Sequence, residues 1–414
     1  MARNRGSDPT RGRWLLAGAA VLVQLALGAV YAWSVFVNPF IDQMGWSRTE
    51  TSLPFIVTIG VLFVGTLAGG RIQDRIGPRP VVLAGGIIYS VGVMLASLVE
   101  TPDQLWLLVL TYGVIAGLGL GAGYIVPIAM LVKWFPDRRG LITGIAVAGF
   151  GAGALVTAPV ANRFLVADDV SQVFLPLGLA YLVATVVGGA MFRDPPSGYQ
   201  VPGFDSSAVR VAGTAESYSL GEALRTPHWY ILTAILALNV TAGIALISQA
   251  APAAVEIAGM TPAGAAGVVG ALAIFNGAGR VVWGWASDFI GRMPAFFAIF
   301  ALQVVCFGLL PNASPVPLFV ILGALVYLCY GGGFGTMPAT AADFFGPRNA
   351  GAIYGAMIVG WSVGGVVGPL VIAGIADATG GFTVPFYIIA AMVLGAALLP
   401  ATTKSPPAAG HRQR

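Results

Sequence analysis

Twelve times along this chain the charged residues all but stop, and an apolar run of about twenty residues or more takes over. A bilayer core about 30 Å thick takes roughly 20 apolar residues to cross as a helix, so these runs read as membrane spans. Only 9% of the 414 residues are charged and 57% are hydrophobic, where a soluble domain carries about 25% charged residues. A soluble globular protein is excluded. A disordered chain would need the opposite composition, and an outer-membrane barrel would show alternating segments of about ten residues. The net charge of +4 does not suggest nucleic acid, because the basic residues sit in short turns and form no face.

The spans read as Trp14–Val37, Thr51–Gly70, Arg79–Val99, Leu105–Val132, Gly140–Leu165, Val173–Phe192, Trp229–Val255, Pro262–Ala286, Pro294–Leu310, Pro317–Ala341, Gly351–Ala376 and Phe382–Pro400. The first is too long for the apolar region of a secretory signal and is expected to be retained. Cys306 and Cys329 lie inside spans and read as small buried hydrophobes. The longest polar interval, residues 193–227, divides the chain into six-span units at 1–192 and 228–414. With the N-terminus inside, eighteen of the 21 Lys and Arg fall on the inner side and only Arg48 and Arg163 outside, which makes both termini cytoplasmic.

The two units repeat each other. Gly70-Arg71-Ile72-Gln73-Asp74-Arg75-Ile76-Gly77 after span two matches Gly284-Trp285-Ala286-Ser287-Asp288-Phe289-Ile290-Gly291 after span eight, at a shift of 214. Phe135-Pro136-Asp137-Arg138-Arg139-Gly140 after span four is echoed by Phe345-Gly346-Pro347-Arg348 after span ten. The glycines permit a tight turn, while Asp74 and Asp288 can cap or ion-pair with neighbouring helix ends when the inner side is closed. Duplicated six-helix halves are the architecture of alternating-access carriers. The fold expected is therefore an all-α membrane protein of 12 transmembrane helices in two pseudo-symmetric six-helix bundles.

At these residues the chain resembles the major facilitator superfamily over almost its full length. A narrower resemblance rests on Tyr31-Ala-Trp-Ser-Val-Phe36, Gly123-Tyr-Ile-Val-Pro127, Trp134-Phe-Pro-Asp-Arg-Arg-Gly140, Asn276-Gly-Ala-Gly-Arg280 and Tyr330-Gly-Gly-Gly-Phe334. Together these are similar to the oxalate/formate antiporter family and to bacterial homologues of the monocarboxylate–proton symporters. The resemblance implies a multi-pass carrier of the inner (plasma) membrane, working as a monomer on a small carboxylate anion and a proton. It also points to Asp74, Arg75, Asp288 and Arg139 as gating residues.

None of the 17 acidic residues falls at mid-membrane, yet Arg280 does: it precedes Asp288 by eight residues, roughly 12 Å along the helix. A charge there costs about 2.5–3.5 kcal/mol on insertion scales. Its natural partner is an anionic ligand, which a guanidinium grips with two parallel hydrogen bonds; the competing reading is a structural arginine reaching a carbonyl or Asp288. Asn276, one turn away, can donate to the same ligand or join two helices. In the resembled symporters an Asp often holds this place, so the Asn removes the obvious proton carrier. Tyr124 and Tyr330 lie near mid-depth in opposite halves and can bind an anion or simply satisfy themselves elsewhere. Leu27 offers an apolar wall for a short carbon chain, or ordinary packing. Tyr31, Gln249 and Trp361 are weaker candidates, and His228 reads as interfacial.

Glycines at four-residue spacing, Gly113, Gly117 and Gly121 and again Gly360, Gly364 and Gly368, read as close helix packing, and Gly331–Gly333 as a run that also lets span ten bend during gating. There is no metal cluster, nucleophile–base pair or phosphate loop, and no cofactor is expected. The reading is a proton-coupled carrier of small monocarboxylates of the lactate or pyruvate class. Family members that take dianionic oxalate are expected to add a Lys in span eleven, and Gly351–Ala376 contains no Lys or Arg. The rivals are an oxalate/formate-type antiporter and, from another class, a carboxylate sensor that does not transport.

Overall fold

A computed structural model describes residues 9–165, 169–196, 199–201, 217–346 and 349–403. The side chains of Asp74 and Arg139, the Pro347–Arg348 pair and about half of the 193–227 interval (197–198 and 202–216) lie outside the described residues. Every described regular element is helical. The helices are α1 (Gly12–Ala32, continuing as Ser34–Met44), α2 (Arg48–Ile76), α3 (Pro78–Leu98), α4 (Pro102–Trp134), α5 (Gly144–Leu165) and α6 (Phe174–Ala190). They continue as α7 (Pro227–Ala258), α8 (Pro262–Ile290), α9 (Arg292–Asn312), α10 (Val316–Phe345), α11 (Ala350–Thr379) and α12 (Thr383–Thr402). Eleven of the twelve are long and apolar enough to cross a membrane, and α6 is a shorter apolar helix of 17 residues. With no water in hydrocarbon to pair a free N–H or C=O, helices are what such a chain must form.

The repeat at a shift of 214 holds to the residue. α2 and α8 are both 29 residues long and both end on a left-handed glycine, Gly77 (φ 85°) and Gly291 (φ 91°). The N–H of each glycine returns to the carbonyl four residues back, that of Gln73 or Ser287. Gly45 and Gly259, also left-handed and 214 apart, stop the helices that precede them. A Cβ is disfavoured at such φ values, so glycine is the residue that lets the chain turn there. The starts are capped as well. Ser47 and Glu50 form a reciprocal capping box on α2, and Thr261 accepts from the Gly264 N–H at the head of α8.

The glycine stripes pack. Gly113, Gly117 and Gly121 of α4 lie against Val57, Thr58 and Leu62 of α2, and Gly360, Gly364 and Gly368 of α11 lie against Thr233, Ala237 and Thr241 of α7. In this state α10 runs as one continuous helix through Gly331–Gly333. Those glycines admit neighbours, because added Cβ atoms would strike the Asn276 carbonyl, Trp283 and Asn239. Departures from regular α geometry include α1, where Gly28–Ala32 tightens into a 3₁₀ turn, α4, where Val109–Ala116 widens into a π-helix, and α7, where Gln249 leaves helical geometry (φ −126°, ψ 15°) just before Pro252.

Candidate functional site: a buried arginine beside an aromatic ring

Asn276 and Arg280 project from one face of α8 and are buried, 1% and 4% exposed. They sit where α8 and α10 touch backbone to backbone. A Cβ at Gly279 would stand 2.0 Å from the Leu328 carbonyl, and Cβ atoms at Gly331 and Gly335 would stand equally close to the carbonyls of Asn276 and Arg280. Glycine at all three positions presses the two polar side chains forward, out of the α8–α10 seam. All three guanidinium nitrogens of Arg280 and both amide atoms of Asn276 have no hydrogen-bond partner among the described residues. The guanidinium carbon lies 4.9 Å from the centroid of the Phe334 ring, a cation–π contact.

Six aromatic side chains from five helices close a circuit beside this arginine. Tyr31 of α1 meets Tyr330 of α10 (ring centroids 5.9 Å), Tyr330 meets Phe334 (5.3 Å), and Phe334 meets Trp361 of α11 (5.2 Å). Trp361 contacts Tyr124 of α4 and Phe150 of α5, at 5.2 and 5.8 Å, and Phe150 returns to Tyr31 at 5.2 Å. One hydrogen bond crosses the ring from the first six helices to the last six: the Tyr31 and Tyr330 hydroxyls are 2.6 Å apart. The Tyr31 and Tyr124 hydroxyls approach Arg280 closely enough to interact with its guanidinium, and Tyr330 and Tyr354 lie within its electrostatic reach, though none of the four completes a well-formed hydrogen bond with it. The indole N–H of Trp361 is likewise buried and unpartnered. The arrangement is a set of unused donors within an apolar ring, suited to a small anion with a carbon skeleton.

The structure places Arg280, Asn276, Tyr124 and Tyr330 in one region between the two sets of six helices. Tyr330 pairs with Tyr31, a weaker candidate in the sequence, and not with Tyr124. Trp361, the other weak candidate, is central to the ring, whereas Gln249 lies at the break in α7. Leu27 is fully buried with its methyls against Gly123, filling a notch between α1 and α4. Phe150, Phe334 and Tyr354 were not anticipated. Phe334 carries a readable signal, four residues after Tyr330 on the same helix face, but Phe150 carries none.

The two ends of the molecule differ. On the side away from the termini, the two halves are tied together. Asp377 of α11 accepts hydrogen bonds from the backbone N–H groups of Arg48 and Thr49 and from the Thr49 hydroxyl. Arg48 pairs with Glu256 of α7 at 2.8 Å, Gln249 donates to Ser52 of α2, and Ser362 of α11 donates to the Ile59 carbonyl. On the terminus-bearing side no ion pair among the described residues joins the two halves: Arg13 and Arg138 pair with Asp137, Lys133 with Asp194 of the connecting interval, and Arg292 with Asp288 and Asp343. Asp288 thus joins α8 to the start of α9, and Arg75 is exposed.

Comparison with known proteins agrees with this architecture. The chain matches the Major Facilitator Superfamily over residues 16–277 and 233–413. It belongs to that superfamily. Within the superfamily it is 29% identical over 365 residues to an uncharacterized MFS-type transporter, YhjX, of Escherichia coli, covering 87% of each chain. It is 28% identical to the oxalate:formate antiporter of Oxalobacter formigenes, over 83% of this chain and 80% of that one. Identity to monocarboxylate transporter 13 of Rattus norvegicus is 25%, over 94% of this chain and 88% of that one. Among solved structures, a bacterial homologue of the human lysosomal transporter Spinster in its inward-facing, occupied conformation superposes with a TM-score of 0.73 at 16% identity. That superposition covers 96% of this chain and 97% of the other, a likeness of fold. This major facilitator is a multi-pass membrane transporter.

Proposed function

We propose that this transporter carries small monocarboxylates of the lactate or pyruvate class together with a proton, by rocking of residues 1–192 against residues 228–414 about the Arg280 site. One observation carries the reading: the Arg280 guanidinium is buried with all three nitrogens unpartnered. A buried unpaired charge is among the costliest features a protein can hold, and a carboxylate that accepts two of its N–H groups removes that cost. Tyr124 and Tyr330 hydrogen-bond the bound anion, Asn276 donates its amide, and the aromatic ring encloses the carbon chain. A single cation in the ring favours a single negative charge. Relatives whose names specify monocarboxylates, pyruvate, or oxalate and formate support the carboxylate class.

The positive-inside distribution of Lys and Arg supports an inner-membrane carrier with both termini in the cytoplasm. The tied far side is then extracellular, the side held shut in this state. Asp74, Arg75, Arg139 and Asp288 tie the cytoplasmic side when it closes. An anion entering alone against a negative-inside potential is opposed by about 2.3 kcal/mol per 100 mV. With Asn at 276, the proton travels on or beside the substrate and the cycle is electroneutral.

The test is uptake of labelled lactate into proteoliposomes under an inward proton gradient. The parent accumulates lactate and a protonophore abolishes the accumulation. Arg280→Lys, which keeps charge but loses the fork, binds much more weakly, and Arg280→Gln does not transport. Normal uptake by folded Arg280→Gln ends the site assignment. Accumulation that follows a trapped counter-anion and ignores pH replaces symport with the antiport named for the Oxalobacter relative.

A further inference from the structure

Tyr330 is held from behind by residues outside the aromatic ring. Its carbonyl accepts a hydrogen bond from the Asn239 amide of α7 at 3.3 Å, and the Asn239 side-chain oxygen accepts one from Gln303 of α9 at 3.1 Å. Both amides are fully buried. One turn along α7, Gly243 makes room for the ring itself: a Cβ there would stand 2.4 Å from Tyr330 Cδ2 and 2.6 Å from its Cβ. The Asn239 nitrogen fills the notch at Gly333, 2.1 Å from where a Cβ would stand. Positions 239 and 243 share one helix face, so α7 grips the backbone of Tyr330 and seats its ring in a single cradle.

We propose that Asn239, backed by Gln303, and Gly243 are positioning residues for the Tyr330 phenol. Interhelical amides inside a membrane commonly serve as glue, and glue can bond any carbonyl within reach. This chain of amides ends on the residue whose hydroxyl bridges the two halves beside Arg280. The three glycines after Tyr330 present no side chains of their own; α8 packs against Gly331 and Gly332, and Asn239 of α7 packs against Gly333 on the other side. Tilting Tyr330 moves its hydroxyl away from both Tyr31 and the anion. The substrate part of this inference rests on the monocarboxylate reading above.

The experiment uses the full chain reconstituted in lipid, with its 12 tyrosines replaced by 3-fluorotyrosine and the Tyr330 fluorine signal assigned by its loss in Tyr330→Phe. Asn239→Leu and, independently, Gly243→Ala shift that signal. In lactate uptake Asn239→Leu raises KM about five- to tenfold, the effect of one displaced hydrogen bond, with the maximal rate within about twofold of the parent. Added to Tyr330→Phe, where no hydroxyl remains to be positioned, Asn239→Leu raises KM less than about twofold further. An unmoved Tyr330 signal in both variants, or a KM effect of full size in the Tyr330→Phe background, overturns the proposal. If Asn239→Leu does not fold, Gly243→Ala and Gln303→Leu decide by the same two readouts. The fluorine signal needs no substrate, so a parent that fails to move lactate sinks the monocarboxylate reading and leaves the positioning result to be read by itself.

Discussion

The cross-half contacts of Asp377 yield a measurable prediction about how the carrier opens. This carboxylate, at the end of α11, accepts from the Arg48 N–H at 3.0 Å, the Thr49 N–H at 2.8 Å and the Thr49 hydroxyl at 2.6 Å. The two N–H groups belong to the first turn of α2, where a helix has no donors' partners of its own and carries a partial positive charge. Asp377→Asn keeps the shape and one acceptor oxygen but loses the charge. An exposed anion at a helix N-terminus contributes about 0.3–1 kcal/mol, and one lost hydrogen bond about 0.5–1.5 kcal/mol. The groups are water-accessible, so the sum is taken as about 1–2 kcal/mol, roughly a five- to thirtyfold rise in the far-side-open population. Ile59, buried where α2 meets α11, reports it. In the variant Ile59→Cys, labelling by an impermeant maleimide should accelerate by that factor once Asp377→Asn is added. The native Cys306 and Cys329 are buried and contribute little background. Unchanged labelling in Asp377→Asn, and again in Asp377→Leu, would show that these bonds do not hold the far side shut.

Two further outcomes follow from the packing. Asp137, between α4 and α5, is buried enough to raise its carboxyl, but hydrogen bonds from Arg13 at 2.7 and 3.1 Å, its own backbone N–H and the charges of Arg13 and Arg138 outweigh burial and hold it below the usual range. A depressed carboxyl stabilises above its unfolded value, near 3.9, and that stabilisation is lost as pH falls through the folded value. Arg13→Gln should therefore melt lower than the parent at pH 7, with the two curves converging below about pH 4; parallel curves throughout would show that the pair contributes nothing. Gly335→Val places a side chain where a Cβ already stands 2.0 Å from the Arg280 carbonyl, and overpacking of this kind costs about 1–3 kcal/mol. Its melting temperature and lactate affinity should both fall, while Gly395→Ala, with nothing within 4 Å of its Cβ, should leave both unchanged.

Most of the scaffold can be read from the letters because the membrane leaves few choices. Every backbone group must pair within its own helix, so apolar length alone marks the spans. The 214-residue repeat can be traced to single glycines, since Gly45, Gly77, Gly259 and Gly291 stand at turns that a Cβ would disfavour. Arg280 is legible by elimination, as the one cation at mid-depth with no acid beside it, and Tyr124 and Tyr330 by their depth along spans four and ten. Other features exist only once the helices are packed. Phe150 is one of 22 phenylalanines and has no pattern of its own; it becomes part of the site because α5 is brought against α1, α4 and α11. Tyr31 gains its importance from a hydroxyl 299 residues away, and Asp377 caps a helix that begins 329 residues before it. Local rules of periodicity, turn geometry and charge placement act over a few residues and are written in the sequence. The ring about Arg280 and the closure of one face arise from contacts among side chains on helices far apart in the chain, and only their packing decides which of those side chains meet.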